Sequence, residues 1–288
     1  MTAVGCIGYY TYSQDGLGFR LKRFDKISKA AGEWAYPGRL QAYTFNGKIF
    51  FRQSSGVPDI TLFIGDSNIE QYYVRTDELI KTNPQSTNSI IFDTGGGCAP
   101  IPDFTYNDKQ KLCVGLMNQA LQMATQDPLI RNVVIGGQWS KYFTHAKIGS
   151  ERYHAYMLRL STYIKAMRAQ GKRVFFVLSI PIGDELNPKF MAQRSFDHFP
   201  NLFTLRIGGI KRTDLDNKYG KIQLDLSQMA LQSGAEIIRP TDYLCDDVYC
   251  PSIDKNGEPI YKDATHLRPS YVRPNARFMD VTVAAHSD

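Results

Sequence analysis

Ile60-Thr61-Leu62-Phe63-Ile64 runs straight into Gly65-Asp66-Ser67, and this join of an apolar run to a polar turn decides the fold. The run reads as a buried strand, and Asn68 to Leu79 reads as the helix that follows it. The same pattern repeats downstream. A strand at Ser89–Phe92 leads to Asp93-Thr94 and three glycines, Gly95 to Gly97. A helix from about Asp108 to Thr125 carries apolar positions at Leu112, Leu116, Ala120 and Met123. Then come a strand at Asn132–Ile135, a long helix from about Ser150 to Gln170 and a strand at Arg173–Leu178. A further helix covers about Thr213 to Gln232, and Ala235–Ile238 is the last strand; residues 184–212 give no clear reading. Short apolar strands alternating with helices are the signature of βαβ units and a parallel sheet. The expected fold is α/β, a doubly wound three-layer sandwich on a mostly parallel sheet of about five strands. Its site belongs at the carboxyl ends of those strands.

The bulk properties narrow the function. The 288 residues hold 34 basic and 28 acidic side chains, scattered rather than in runs, so nucleic acid is not an expected partner. The cysteines are Cys6, Cys98, Cys113, Cys245 and Cys250; none form a C-x-x-C pair and no histidine lies at ligand spacing, so no zinc site is expected. Cys245 and Cys250 flank the polar turn Asp246–Tyr249, a separation a disulfide can close, and Cys98 with Cys113 would close a longer loop. The residues alone leave open whether these are disulfides of an oxidising compartment or reduced, buried thiols. At the front, Thr2–Tyr12 is too short to span a bilayer, which takes about 20 apolar residues, and lacks the basic start and cleavage site of a signal peptide. It passes into Gly16-Leu17-Gly18-Phe19-Arg20, like the last turns of a membrane helix meeting a basic exit. As it stands the chain is expected to be soluble or peripherally attached. Residues 1–57, with turns at Pro37-Gly38, Asn46-Gly47 and Ser54-Ser55-Gly56, read as an extension or linker ahead of a domain at 58–288.

Reactive residues stand where that fold puts them. Ser67 follows the first clear strand at a helix start, where its hydroxyl faces the crevice and its N–H can meet an oxyanion. Read alone, Asp66 or Ser67 serves as well as a helix cap. Near the other end lies Tyr261-Lys262-Asp263-Ala264-Thr265-His266-Leu267. A serine hydroxyl needs a base, imidazole suits that role, and a carboxylate must hold the imidazole in one tautomer. Asp263, three residues before His266, can hold the ring while its other nitrogen faces Ser67. Asp66 points away from Ser67 on such a turn and is given a structural role. His145, His154, His198 and His286 lack a carboxylate-and-strand context.

Gly65-Asp66-Ser67 and Asp263-x-x-His266 resemble the first and last blocks of the SGNH (GDSL-type) hydrolase superfamily, over about residues 58–275. More narrowly, the chain resembles the extracytoplasmic SGNH domain fused to membrane-bound acyltransferases of the type three family. The supporting text is Leu62–Asn68, Gly97-Cys98-Ala99-Pro100, Val133–Trp139, and Leu244-Cys245 through Cys250 to Leu267. The resemblance implies an SGNH/flavodoxin-like fold and O-acyl transfer, typically of acetyl, onto cell-surface polysaccharide such as lipopolysaccharide. It implies no cofactor, a carbohydrate acceptor, an acyl donor, a membrane acyltransferase partner and a periplasmic setting, which favours disulfides. Carried over, Ser67 is the nucleophile, His266 the acid and base, and Asp263 its partner. The oxyanion donors would be the N–H of Ser67, a glycine among Gly95, Gly96 and Gly97, and Gln138. This last position departs from the family, which has Gly-x-Asn-Asp where this chain has Gly136-Gly137-Gln138-Trp139. A longer amide there suits slow hydrolysis. Trp139 reads either as a sugar-stacking residue or as a lid over the core. The rival readings are a free-standing carbohydrate or lipid esterase and an idle glycan-binding domain.

Overall fold

The computed structural model describes residues 22–190 and 208–285, with Gly5, Tyr9 and Tyr10 ahead of them. Cys6, the proposed membrane exit at 16–20, His198 and His286 lie outside the described residues.

A helix, α1 (Lys22–Gly32), precedes a hairpin of β1 (Leu40–Phe45) and β2 (Lys48–Gln53). The chain then winds through β3 (Ile60–Gly65), α2 (Ser67–Glu70), α3 (Tyr73–Thr82), β4 (Ser89–Thr94), α4 (Asp108–Gln126) and β5 (Ile130–Gly136). It continues through α5 (Trp139–Phe143), α6 (Glu151–Ala169), β6 (Arg173–Val177), β7 (Gly209–Lys211), α7 (Lys221–Gln232) and β8 (Glu236–Ile238). After β9 (Tyr249–Pro251) it ends in α8 (Pro269–Asn275) and α9 (Asp280–Val283).

The main sheet has seven strands in the order β1-β2-β4-β3-β5-β6-β8. The five from β4 to β8 are mutually parallel, as the alternating pattern requires. All six residues of β3 are buried, yet they still alternate: Ile60, Leu62 and Ile64 enter one core, and Phe63 enters the other. The first core is closed by α4, α6 and α7 through residues such as Met117, Leu160 and Leu226. The second is closed by α3, α8 and α9 through Tyr73, Val272 and Val283. This is a three-layer sandwich.

Four strands lie outside the sequence expectation: β1 and β2 of the main sheet, and β7 and β9, which pair antiparallel in a small second sheet. Residues 40–53, read as part of the extension, form an antiparallel hairpin that joins the sheet through β2 and β4. Its turn is Asn46-Gly47 at φ 48° and 73°, the paired positive values of a type I′ turn. β1 is nowhere fully buried, so it lacks the apolar alternation by which strands are read. Between β3 and β5 the backbones touch at two glycines in register, Gly65 and Gly136. A Cβ on Gly65 would lie 1.9 Å from the Gly136 carbonyl oxygen.

Two disulfides close loops near the strand ends, Cys98–Cys113 with a separation of 15 residues and Cys245–Cys250 with 5. By loop-closure entropy they contribute about 3 and about 2 kcal/mol. Replacing the first pair by alanine should lower the unfolding free energy in urea by more than replacing the second. Equal or inverted losses would contradict an entropic origin.

Candidate active site

The order β4-β3-β5 marks where the winding reverses, and crevices open at such switch points. Ser67 stands in this one, as the first residue of α2. Its placement depends on Asp66, whose carboxylate is 2% exposed. Asp66 caps α2 by accepting from Asn68 N (2.8 Å). It also accepts from Gln138 N (3.1 Å) and Tyr142 Oη (2.5 Å). Burial pushes its carboxyl up, and these donors pull against that. One buried carboxyl group therefore ties the turn after β3 to the turn after β5, and turns Ser67 outward.

Ser67 Oγ lies 2.8 Å from His266 Nε2. On the far side of the ring, Nδ1 lies 2.9 and 3.0 Å from the two Asp263 oxygens. Thr265 donates to Asp263 Oδ1 from its N–H (2.8 Å) and hydroxyl (3.0 Å), which fixes the carboxylate within its own turn. Burial raises the Asp263 carboxyl, but His266 and Thr265 outweigh it and hold it down at about 2. The structure thus brings together Ser67, His266 and Asp263, 199 residues apart at the widest link. Gln71 couples the two ends: its amide oxygen accepts from Leu267 N (2.8 Å) and its amide nitrogen donates to Asn68 O (2.8 Å). Sequence reading passed over Gln71, although a buried glutamine one turn beyond the serine is an available signal.

The oxyanion candidates separate. Gly95 is corrected: its N–H donates to Gly65 O (3.0 Å), extending the β3–β4 ladder. Gly95 O then accepts from Cys98 N (2.8 Å), closing a turn with Gly97 at φ 73°, where glycine is favoured. The N–H groups of Ser67 and Gly96 carry no hydrogen bond among the described residues. Gln138 spends its backbone N–H on Asp66, which leaves its half-buried side-chain amide as the group able to donate.

Of the two readings of Trp139, sugar stacking is corrected and the core lid holds. The side chain is fully buried, stacked on Phe176 at 4.6 Å, with its indole N–H donating to Val177 O (2.8 Å). No sugar reaches it. The indole that does stand beside the site is Trp34, 5.5 Å centroid to centroid from His266. Of the other histidines described, His145 stacks on Tyr106 and His154 meets Tyr153 edge-on.

Residues 41–280 match the family model described as SGNH domain (fused to AT3 domains). The chain belongs to that family. A comparison with curated proteins finds no match to the sequence. Among solved structures, this SGNH domain is similar to the periplasmic domain of a lipopolysaccharide acetyltransferase from Salmonella Paratyphi A. The two are 19% identical, with a TM-score of 0.55 over 78% of this chain and 82% of that one. A GDSL-like lipase from Bacteroides thetaiotaomicron is 11% identical, with a TM-score of 0.41 over 90% and 94%. Membership of the SGNH family supports acyl transfer or ester hydrolysis in general.

Two measurements check this geometry. Tyr142→Phe leaves the buried Asp66 carboxylate short of one donor and should cost about 2 kcal/mol of stability in urea. A cost below about 0.5 kcal/mol would show that Asp66 does not rely on it. The second concerns Asp263. Its folded value lies below the unfolded one, about 3.9, so its stabilisation is full above that pH and fades as pH falls toward 2. The gap in urea midpoint between wild type and Asp263→Asn should therefore narrow from pH 5 to pH 2. A gap that stays constant would contradict the pairing.

Proposed function

We propose that this domain transfers an O-acyl group, acetyl being the best fit, between a donor and a carbohydrate hydroxyl through an acyl-Ser67 intermediate. The observation that carries the reading is the unbroken relay from Ser67 Oγ to His266 Nε2 and from His266 Nδ1 to Asp263. In the first step Ser67 Oγ attacks the ester carbonyl carbon while His266 Nε2 takes its proton. The carbonyl oxygen becomes an oxyanion facing the N–H groups of Ser67 and Gly96 and the amide of Gln138. Collapse breaks the bond to the leaving oxygen, which takes the proton from His266. In the second step His266 removes a proton from the incoming hydroxyl, whose oxygen attacks the acyl carbon; the bond to Ser67 Oγ then breaks, and His266 returns the proton to that oxygen. Asp263 stays ionised throughout and steadies the imidazolium.

The third block suits a slow hydrolase, as a transferase should be. A glutamine in place of the usual asparagine weakens one oxyanion donor, each worth about 100–1000-fold in rate. The family's fusion to AT3 domains supports a membrane acyltransferase as the source of the acyl group. The similarity to a periplasmic domain supports a periplasmic location and a surface-polysaccharide acceptor. Two disulfides suit that compartment. No helix among the described residues is long and apolar enough to cross a membrane.

The test is rapid-mixing hydrolysis of 4-nitrophenyl acetate. Wild type should show a burst of nitrophenolate equal to the enzyme, then slow turnover. Ser67→Ala should show no burst, and His266→Ala a burst rate lowered by about 1000-fold or more. A burst that survives in Ser67→Ala would contradict the acyl-Ser67 reading. Gln138→Ala should slow acylation by about 10- to 100-fold.

A further inference from the structure

The segment between α1 and β1 is clamped at both ends. Glu33 accepts from Arg268 Nε, from Ser270 N (2.6 Å) and from Ser270 Oγ (3.0 Å). Five residues on, Gly38 N donates to Tyr73 Oη (2.8 Å). Arg268 is two residues past the catalytic-site histidine and also pairs with Glu258 (3.0 Å). The first clamp thus holds the segment to the loop that carries His266, and the second holds it to α3. Between them stand two aromatic side chains, Trp34 and Tyr36, whose rings meet edge-on at 6.2 Å. Trp34 lies 5.5 Å from the His266 ring, and the ammonium of Lys262 sits 4.6 Å from the centre of its own ring. Tyr36 is 74% exposed and Trp34 is partly exposed.

Nothing in the core requires this arrangement. Neither ring belongs to either hydrophobic cluster, and an apolar ring so exposed forgoes the burial that makes aromatic residues stabilising. A substrate bound beside His266 needs a surface that orients its oxygen-bearing fragment. We infer that Trp34, Tyr36 and Lys262 form that surface, a subsite for a sugar ring on the donor or acceptor side of the ester. A pyranose presents C–H groups on one face and hydroxyls at its rim. The aromatic rings suit the first, and a lysine ammonium with three donors suits the second. The fixed clamps give this surface its shape before substrate arrives, which lowers the ordering cost of binding. The inference rests on the acyl-Ser67 reading and adds to it which residues select a carbohydrate.

The test compares two esters, 4-nitrophenyl acetate and O-acetylated maltotriose, with acetate release from the second. Wild type, Trp34→Ala, Trp34→Phe and Tyr36→Ala are assayed across pH, with circular dichroism to confirm folding. The expected result is a selective loss. In Trp34→Ala the ratio of kcat/KM for the sugar ester over the aryl ester falls about tenfold, through KM. Trp34→Phe recovers most of it, and Tyr36→Ala loses about threefold. Parallel loss on both esters with a displaced pH profile would overturn the subsite and make Trp34 a support for His266. No loss on either ester, or a wild type active on the aryl ester alone, would also overturn it. Absence of a Ser67-dependent burst in wild type is a different failure, that of the underlying reading.

Discussion

A single buried carboxylate sets the geometry on which the rest of the site depends. Asp66 has almost no contact with water, and its carboxyl oxygens are met by Asn68 N, Gln138 N and Tyr142 Oη. A buried anion left without donors is costly, so these groups are held to it firmly. They come from three places: the nucleophile's own helix, the turn after β5, and α5. Their shared attachment keeps the serine turn and the third-block turn in one relation. Ser67 is exposed to the crevice because its neighbour is committed inward.

The sheet supplies the other half of the constraint. Gly65 and Gly136 let β3 and β5 approach at a distance that no side chain permits. Ile69, from the nucleophile helix, packs over Gly136 in the same place. The helix bearing Ser67 therefore seats directly on the strand ends. The base arrives from the far end of the chain, and Gln71 fixes it there by bonding the backbone at Leu267. Nucleophile, oxyanion turn and base are each rigid for a local reason. Their distances then follow from packing.

Much of this was legible in the sequence, for reasons that also explain the misses. The five parallel strands could be read because each carries a short apolar run, such as Ile60–Ile64 and Val133–Ile135, that is buried between the helical layers. The serine turn and Asp263-x-x-His266 could be read because chemistry demands those residue types after strands. The hairpin at 40–53 was missed because β1 has no buried residue and β2 carries only the short run Ile49–Phe51, of which Phe50 alone is buried, although Asn46-Gly47 announces its turn. Gly95 was misassigned because three consecutive glycines look alike in sequence; only the ladder bond to Gly65 tells the first from the second. Trp139 follows a strand and reads as a sugar platform or as a lid over the core; it is fully buried in the core, so the second reading holds. Trp34 could not be found from the sequence. It lies 232 residues from His266, in a segment with no regular periodicity, and reaches the site only through the Glu33 and Gly38 clamps.

The claim on which all the chemistry turns is that Ser67 is an activated nucleophile. A fluorophosphonate probe, followed by intact-mass measurement, tests it without any knowledge of donor or acceptor. The account predicts one adduct on wild type, located on Ser67, and none on folded Ser67→Ala or His266→Ala. A folded wild type that takes up no probe, or a label that persists in Ser67→Ala, would contradict it.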